Sequence, residues 1–98
     1  MPRFELSKAA RQDLKEIGRF SRVHFGQAVA ADYLRGFATE FARLVQLPQI
    51  GQARPEYGAT VRSKVYRSHR ILYHSHDTGI RILRIMHHAQ AVPDKLTE

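Results

Sequence analysis

Histidines and cations are the residues here whose types can do chemistry. The chain has 98 residues with 16 Lys+Arg and six His. His69, His74, His76, His87 and His88 all lie in the C-terminal half, interleaved with Arg54, Arg62, Lys64, Arg70 and Arg84. Cleavage of RNA needs such a mixture: a base for the 2′-hydroxyl proton, an acid for the leaving oxygen and cations for the phosphorane. Histidine exchanges protons near neutral pH and suits the first two tasks. Arg62 and Lys64 stand two residues apart, so a strand puts both on one face. Arg84, near the end of a later apolar run, is expected to converge with them. As a nuclease, the chain would draw its catalytic set from Arg54, Arg62, Lys64, Arg84, His87 and His88. The same side chains on an exposed sheet would bind without reacting, and their spacing matches no unique catalytic motif.

Other chemistries find less support. Zinc wants three or four convergent ligands, and Asp77 is the only acid near His74 and His76. No metal and no cofactor is expected. The serines sit in no nucleophile elbow, and there is neither a GxGxxG run nor a P-loop. Tyr33, Phe37 and Phe41 fall at helical spacing and read as core. Asp13 and Glu16 are expected to favour the dipole of the first helix and to pair with neighbouring cations.

Composition narrows the classes further. The chain has room for one domain, spanning residues 1–98. At 43% hydrophobic residues it can bury one modest core. Without cysteine there is no disulfide framework, zinc ribbon or thiol nucleophile, which suits a reducing cytoplasm. No apolar run is long enough to span a bilayer, and Met1-Pro2-Arg3-Phe4-Glu5 does not open a signal peptide. The formal charge is +7. Residues 54–88 hold seven basic and two acidic side chains, a net +5, against a net +3 in residues 1–47. A focused positive field attracts phosphates or acidic protein segments. The ratio of twelve Arg to four Lys favours forked recognition of such anions.

The elements that must position these residues follow from periodicity. Phe4 and Leu6 alternate with Arg3 and Glu5, which predicts a short first strand. Ser7 sits at a helix N-cap position, and Ala10, Leu14, Ile17, Ser21 and His24, widened by Phe20, predict a helix over 8–24 ended by Gly26. A second helix starts near Gln27 with Ala30, Tyr33, Leu34, Phe37, Phe41, Leu44 and Val45 on one face. Gly36 weakens its middle and Pro48 stops it. The short connection predicts an antiparallel hairpin. Residues 48–59 read as a loop. Thr60–Arg67, His69–Ser75 and Gly79–His87 read as strands, with a tight turn at His76-Asp77-Thr78-Gly79. Ile80, Ile82, Leu83 and Ile85 make the last strand apolar on both faces, so both sides need cover. The hairpin supplies one cover, and some apolar surface on the other face is expected to remain for a partner. The tail from Ala89 to Glu98 is expected to be weakly structured. The order β-α-α-β-β-β predicts an α+β fold, a helical hairpin on one face of a mostly antiparallel sheet.

These segments together resemble the RelE/ParE superfamily of toxin–antitoxin toxins, and its ParE-type members most. The resemblance runs through Phe4-Glu5-Leu6-Ser7, Ala9-Ala10, Asp13-Leu14, Phe25-Gly26, Tyr33, Arg54, Val61-Arg62, His69-Arg70-Ile71-Leu72-Tyr73 and Ile80 to His87. It implies a cytoplasmic toxin held in a hetero-oligomer by a cognate antitoxin, with operator DNA met only through that antitoxin, and no membrane role. In ParE-type members the implied target is DNA gyrase; in RelE-type members it is mRNA in the ribosome, cut as an endoribonuclease. Arg54, Arg62, Arg70, Arg84 and His87 are the implied target- or antitoxin-binding residues. Many ParE-type chains read His, any residue, Arg, Met, Asp after the last strand; this chain has His87-His88-Ala89-Gln90-Ala91. Val92 stands where RelE-type chains place a tyrosine. The first departure also allows a degenerate, non-toxic module that only binds its antitoxin.

Overall fold

The computed structural model describes residues 3–93 and 96. The chain runs β1 (Arg3–Leu6), α1 (Lys8–Phe25), α2 (Gln27–Gln46), β2 (Gln52–Ala53), β3 (Arg62–Tyr66), β4 (His69–His76) and β5 (Gly79–His87). The expected architecture is present, with one addition. The segment read as a loop over 48–59 contributes β2, a two-residue edge strand paired antiparallel to β3. The sheet order is β1-β5-β4-β3-β2, and β1 alone runs parallel to its neighbour.

Local chemistry sets the hairpin. Ser7 Oγ accepts from the Ala10 N–H at 3.0 Å, which gives α1 its cap. Gly26 ends α1 and begins α2 by itself at φ 89°, a backbone geometry that favours glycine. A one-residue link forces the two helices antiparallel. Gly36 is not merely a weak point: Tyr66 of β3 lies so close to α2 that a Cβ there would collide with its hydroxyl. The missing side chain lets the helix settle onto the sheet.

The core sits between hairpin and sheet, where Phe37, Phe41, Leu44, Ile71, Tyr73, Ile80, Ile82 and Ile85 are all buried. Burial of each such side chain is worth about 1.5–3 kcal/mol. Buried Tyr73 donates to the Pro48 carbonyl at 2.8 Å and accepts from the Gly51 N–H at 3.0 Å, so it pins the loop that leaves α2. Burial raises its pKa, and the Gly51 N–H and Arg62 partly oppose that shift.

Two expectations about α1 are corrected. His24 is exposed and stacks on exposed Phe20 at 3.9 Å between centroids, because both sit past the point where the sheet supports the helix. Asp13 does not pair along α1 or face its dipole; no acid stands in the first turn. It reaches β5. Since β1 pairs only with residues 79–82, the rest of that edge of β5 has no strand beside it among the described residues. Side chains replace one. Ser7 Oγ donates to the Leu83 carbonyl at 2.8 Å, Asp13 accepts from the Ile85 N–H at 2.8 Å, and Gln90 accepts from the His87 N–H at 2.8 Å. An edge so occupied no longer offers its donors and acceptors to another strand.

The second face of the sheet also differs from expectation. Leu72, Leu83 and Met86 are 0%, 6% and 4% exposed, so the apolar surface left there is reduced to Val65, 59% exposed toward the β2 edge of the sheet. Two segments lie over it. Arg54 reaches Ser63 at 3.5 Å, and Tyr57, beside Arg54, accepts at its carbonyl from Leu96 N–H at 3.4 Å. Arg70 donates to the Gln90 carbonyl at 2.7 Å. The expected weak tail thus helps to seal the sheet without forming helix or strand among its described residues; Asp94, Lys95, Thr97 and Glu98 lie outside them. No helix among the described residues is long and apolar enough to cross a membrane.

Candidate functional site

Apolar surface is exposed instead at the hairpin tip. Phe20, Val23, Phe25 and Val29 are 58%, 75%, 63% and 53% exposed. Between this tip and the β3–β4 turn lies a groove of about 620 Å³. Ile17, Phe20, Phe25 and Val29 give it an apolar floor, and Glu16, Tyr33, Arg67, His69 and His87 give it a polar rim.

The rim is built by α1, α2, β4, β5 and the β3–β4 turn, which meet at one end of the molecule. α2 supplies Tyr33, whose hydroxyl lies 2.7 Å from Nδ1 of His69 on β4. The His69 and His87 rings meet edge to face at 5.6 Å between centroids, and the His87 and His88 rings lie 4.3 Å apart. Burial chiefly lowers the pKa of His69; His87 and His88 add to the shift, while Asp13 opposes it. The Ala89 N–H donates to Nδ1 of His87, so that nitrogen holds no proton in this geometry. His88 directs Nδ1 at the Ser68 carbonyl at 3.1 Å, which requires a proton on that atom. Arg67 occupies the β3–β4 turn at φ 55°, strained for a non-glycine residue. Its guanidinium lies 5.5 Å from the Tyr33 ring centroid and 5.6 Å from that of Tyr66, and these contacts hold it at the lip.

The cations singled out by sequence are placed elsewhere and do not converge. Arg62 and Lys64 do share one face of β3, the face toward the helices. Arg62 donates to the Gly51 carbonyl at 2.8 Å, and Lys64 pairs with Glu40 of α2 at 3.5 Å. Arg84 lies two strands away, on β5. An irregularity in register opposite Leu72 and Tyr73 turns it to the sheet edge, where it makes two bonds to Asp13 at 2.8 and 3.0 Å. The bond to Asp13 is also the main reason its pKa is raised. Arg54 pairs with Glu56 at 2.9 Å, and Arg70 holds the Gln90 carbonyl. Of the candidate catalytic set, His87 lines the groove, and His88 stands beside it with its ring 4.3 Å from that of His87.

Sequence reasoning missed the groove itself. Tyr33, whose spacing reads as core, does pack against the core, and its half-buried hydroxyl end also lines the rim. A signal was present: Phe20, Val23, Phe25 and Val29 cluster around Gly26 and exceed what two amphipathic faces can bury. Chemically the rim offers imidazoles and one guanidinium already lying over two tyrosine rings. Among the described residues no group of three or more His, Cys, Asp or Glu is placed to hold a metal ion. The groove is therefore suited to holding an apolar side-chain row better than to handling a phosphate.

Comparison with known proteins points one way. The sequence profile of the ParE toxin of the type II toxin–antitoxin system parDE matches residues 4–92. Toxin ParE1 of Caulobacter vibrioides is 30% identical over 89 residues, covering 89% of this chain and 90% of that protein. Among solved structures, a chain of the chromosomal ParDE toxin–antitoxin system from P. aeruginosa superposes with a TM-score of 0.75 at 22% identity, covering 89% of this chain and 96% of that one. A chain of the RelBE2 toxin–antitoxin complex from Mycobacterium tuberculosis superposes with a TM-score of 0.60 at 25% identity, covering 89% and 99%.

Proposed function

The chain belongs to the ParE toxin family of type II toxin–antitoxin systems, and from that premise we propose that it arrests growth by binding DNA gyrase and is neutralised by a cognate antitoxin. It acts as one cytoplasmic toxin domain over residues 1–98, by contact and not by catalysis. The observation that carries this reading is the fate of the cations. A ribonuclease needs several positive groups free to meet one phosphate. Here Arg62, Lys64 and Arg84 are held by Gly51, Glu40 and Asp13 at separate places on the sheet. Binding through protein contact needs no such convergence.

The antitoxin lays the apolar side of an amphipathic segment into the groove at the hairpin tip. Phe20, Phe25 and Val29 receive that side, and Arg67 meets an acidic residue at its edge. Operator sequence is read by the antitoxin, and the two proteins form the hetero-oligomer. The departure at His87–Ala91 leaves the groove intact, since His87 and His88 are bound to Ala89 and Ser68 and do not wait for a residue further on.

Purified toxin should inhibit gyrase supercoiling of relaxed plasmid, and added antitoxin should restore it. Supercoiling that continues at large toxin excess refutes the gyrase target. Codon-positioned cuts in translated mRNA after induction would instead establish the ribosome-dependent nuclease. Normal growth on induction without antitoxin would establish the non-toxic module.

A further inference from the structure

One charged surface is not used by any of the above. α1 carries Lys8, Arg11, Lys15, Arg19 and Arg22, spaced three, four, four and three residues apart. At about 100° and about 1.5 Å per residue, the five fall within an arc of about 80° and form a row about 21 Å long. No other residue of α1 falls inside that arc. Its acids are turned away, Glu16 by about 100° and Asp13 by about 160° from the centre of the row. All five cations are exposed. None makes an ion pair or a side-chain hydrogen bond among the described residues. The contrast with the sheet is sharp: there Arg54, Lys64, Arg81 and Arg84 each face a carboxylate.

We propose that this stripe on α1 is a docking surface for the sugar–phosphate backbone of duplex DNA, bound without regard to sequence. The composition of the arc selects the partner. A protein interface has an apolar centre depleted of lysine, and this arc has no apolar side chain to supply one. Nucleic-acid interfaces are polar and strongly positive. The geometry selects the duplex. The major groove of B-DNA, about 12 Å wide and edged by phosphates, admits a helix, whereas the groove of A-form RNA is deep and narrow. The contact is independent of the operator reading assigned to the antitoxin, and it goes beyond the gyrase reading because it needs no gyrase.

The test is fluorescence anisotropy with the purified chain and a labelled 30-bp DNA duplex of arbitrary sequence, titrated across a salt series. Five phosphate contacts predict a slope of log K on log salt near about −4.5. The double variant Lys15→Gln/Arg19→Gln should make that slope shallower by about 1.8 and weaken binding at low salt at least about tenfold. The control Arg35→Gln/Arg43→Gln removes the same charge from α2, where both residues are exposed. It should change affinity less than about twofold. Equal losses in the two variants would mean that net charge alone drives binding, and would overturn the stripe. No salt-dependent binding by the unaltered chain would overturn it too. Duplex RNA bound as tightly as DNA, or polyglutamate competing equally at matched charge, would overturn the assignment to DNA. Failure here and failure of the gyrase reading are separable: the Lys15→Gln/Arg19→Gln variant, if it no longer binds DNA, should still inhibit supercoiling.

Discussion

Replacing Asp13 with alanine removes three hydrogen bonds, one of which stands in for a missing strand. The Ile85 N–H loses its acceptor at 2.8 Å on an edge of β5 that β1 does not reach. An orphaned, partly buried backbone donor costs about 1–3 kcal/mol. Arg84 loses both bonds to the carboxylate; the pair is 26% and 12% exposed, so water screens part of the attraction and about 1 kcal/mol is a fair share. The sum is about 2–4 kcal/mol. For a chain of 98 residues that corresponds to a fall in Tm of roughly 10–25 °C. Asp13→Asn keeps one oxygen for Ile85 and loses the charge, so it should lie between the two. Calorimetry or circular dichroism melts on the three proteins decide the matter. An Asp13→Ala variant that melts with the unaltered chain would refute the claim that side chains complete this edge. A double-mutant cycle with Arg84→Met would then isolate the ion pair, and the Ile85 bond should survive it as a separate loss.

Three further outcomes are expected. His69 has its pKa lowered in the fold, so the unfolded chain binds the extra proton. The resulting stability is complete well above pH 6.5 and is lost as pH falls through that value; thermal melts across this range should decline for the unaltered chain and less steeply for His69→Gln. Gly36→Ala places a methyl against the Tyr66 hydroxyl and should cost about 1–3 kcal/mol by overpacking, read from denaturant midpoints at unchanged slope. Phe25→Ser with Val29→Ser alters side chains that are 63% and 53% exposed, so Tm should barely move. Affinity for the cognate antitoxin, measured by calorimetric titration, should fall at least about tenfold; undiminished binding would place the antitoxin elsewhere.

Local pattern determined a great deal of this protein. Helix spans, the Ser7 cap, the Gly26 break and the three long strands were legible because each depends on residues within a turn or two of one another. β2 was not, since two exposed residues show no periodicity and pair only because Tyr73 holds the loop beside β3. Charge shows the same division. Counting side chains puts the cationic excess in residues 54–88, but counting cannot say which of them meet an acid. The tertiary fold brings Asp13, Glu40 and Glu5 across the molecule to Arg84, Lys64 and Arg81, so three of the seven cations in that cluster meet an acid from outside it. On α1, whose apolar spacing marks only its buried side, the cations meet no acid among the described residues because the helix's own acids turn toward the sheet and the groove. The groove likewise exists only in three dimensions, where Tyr33, Arg67, His69 and His87 meet from elements far apart in the chain. A sequence records which groups are available; which of them remain available to a partner depends on long-range contacts that no local spacing contains.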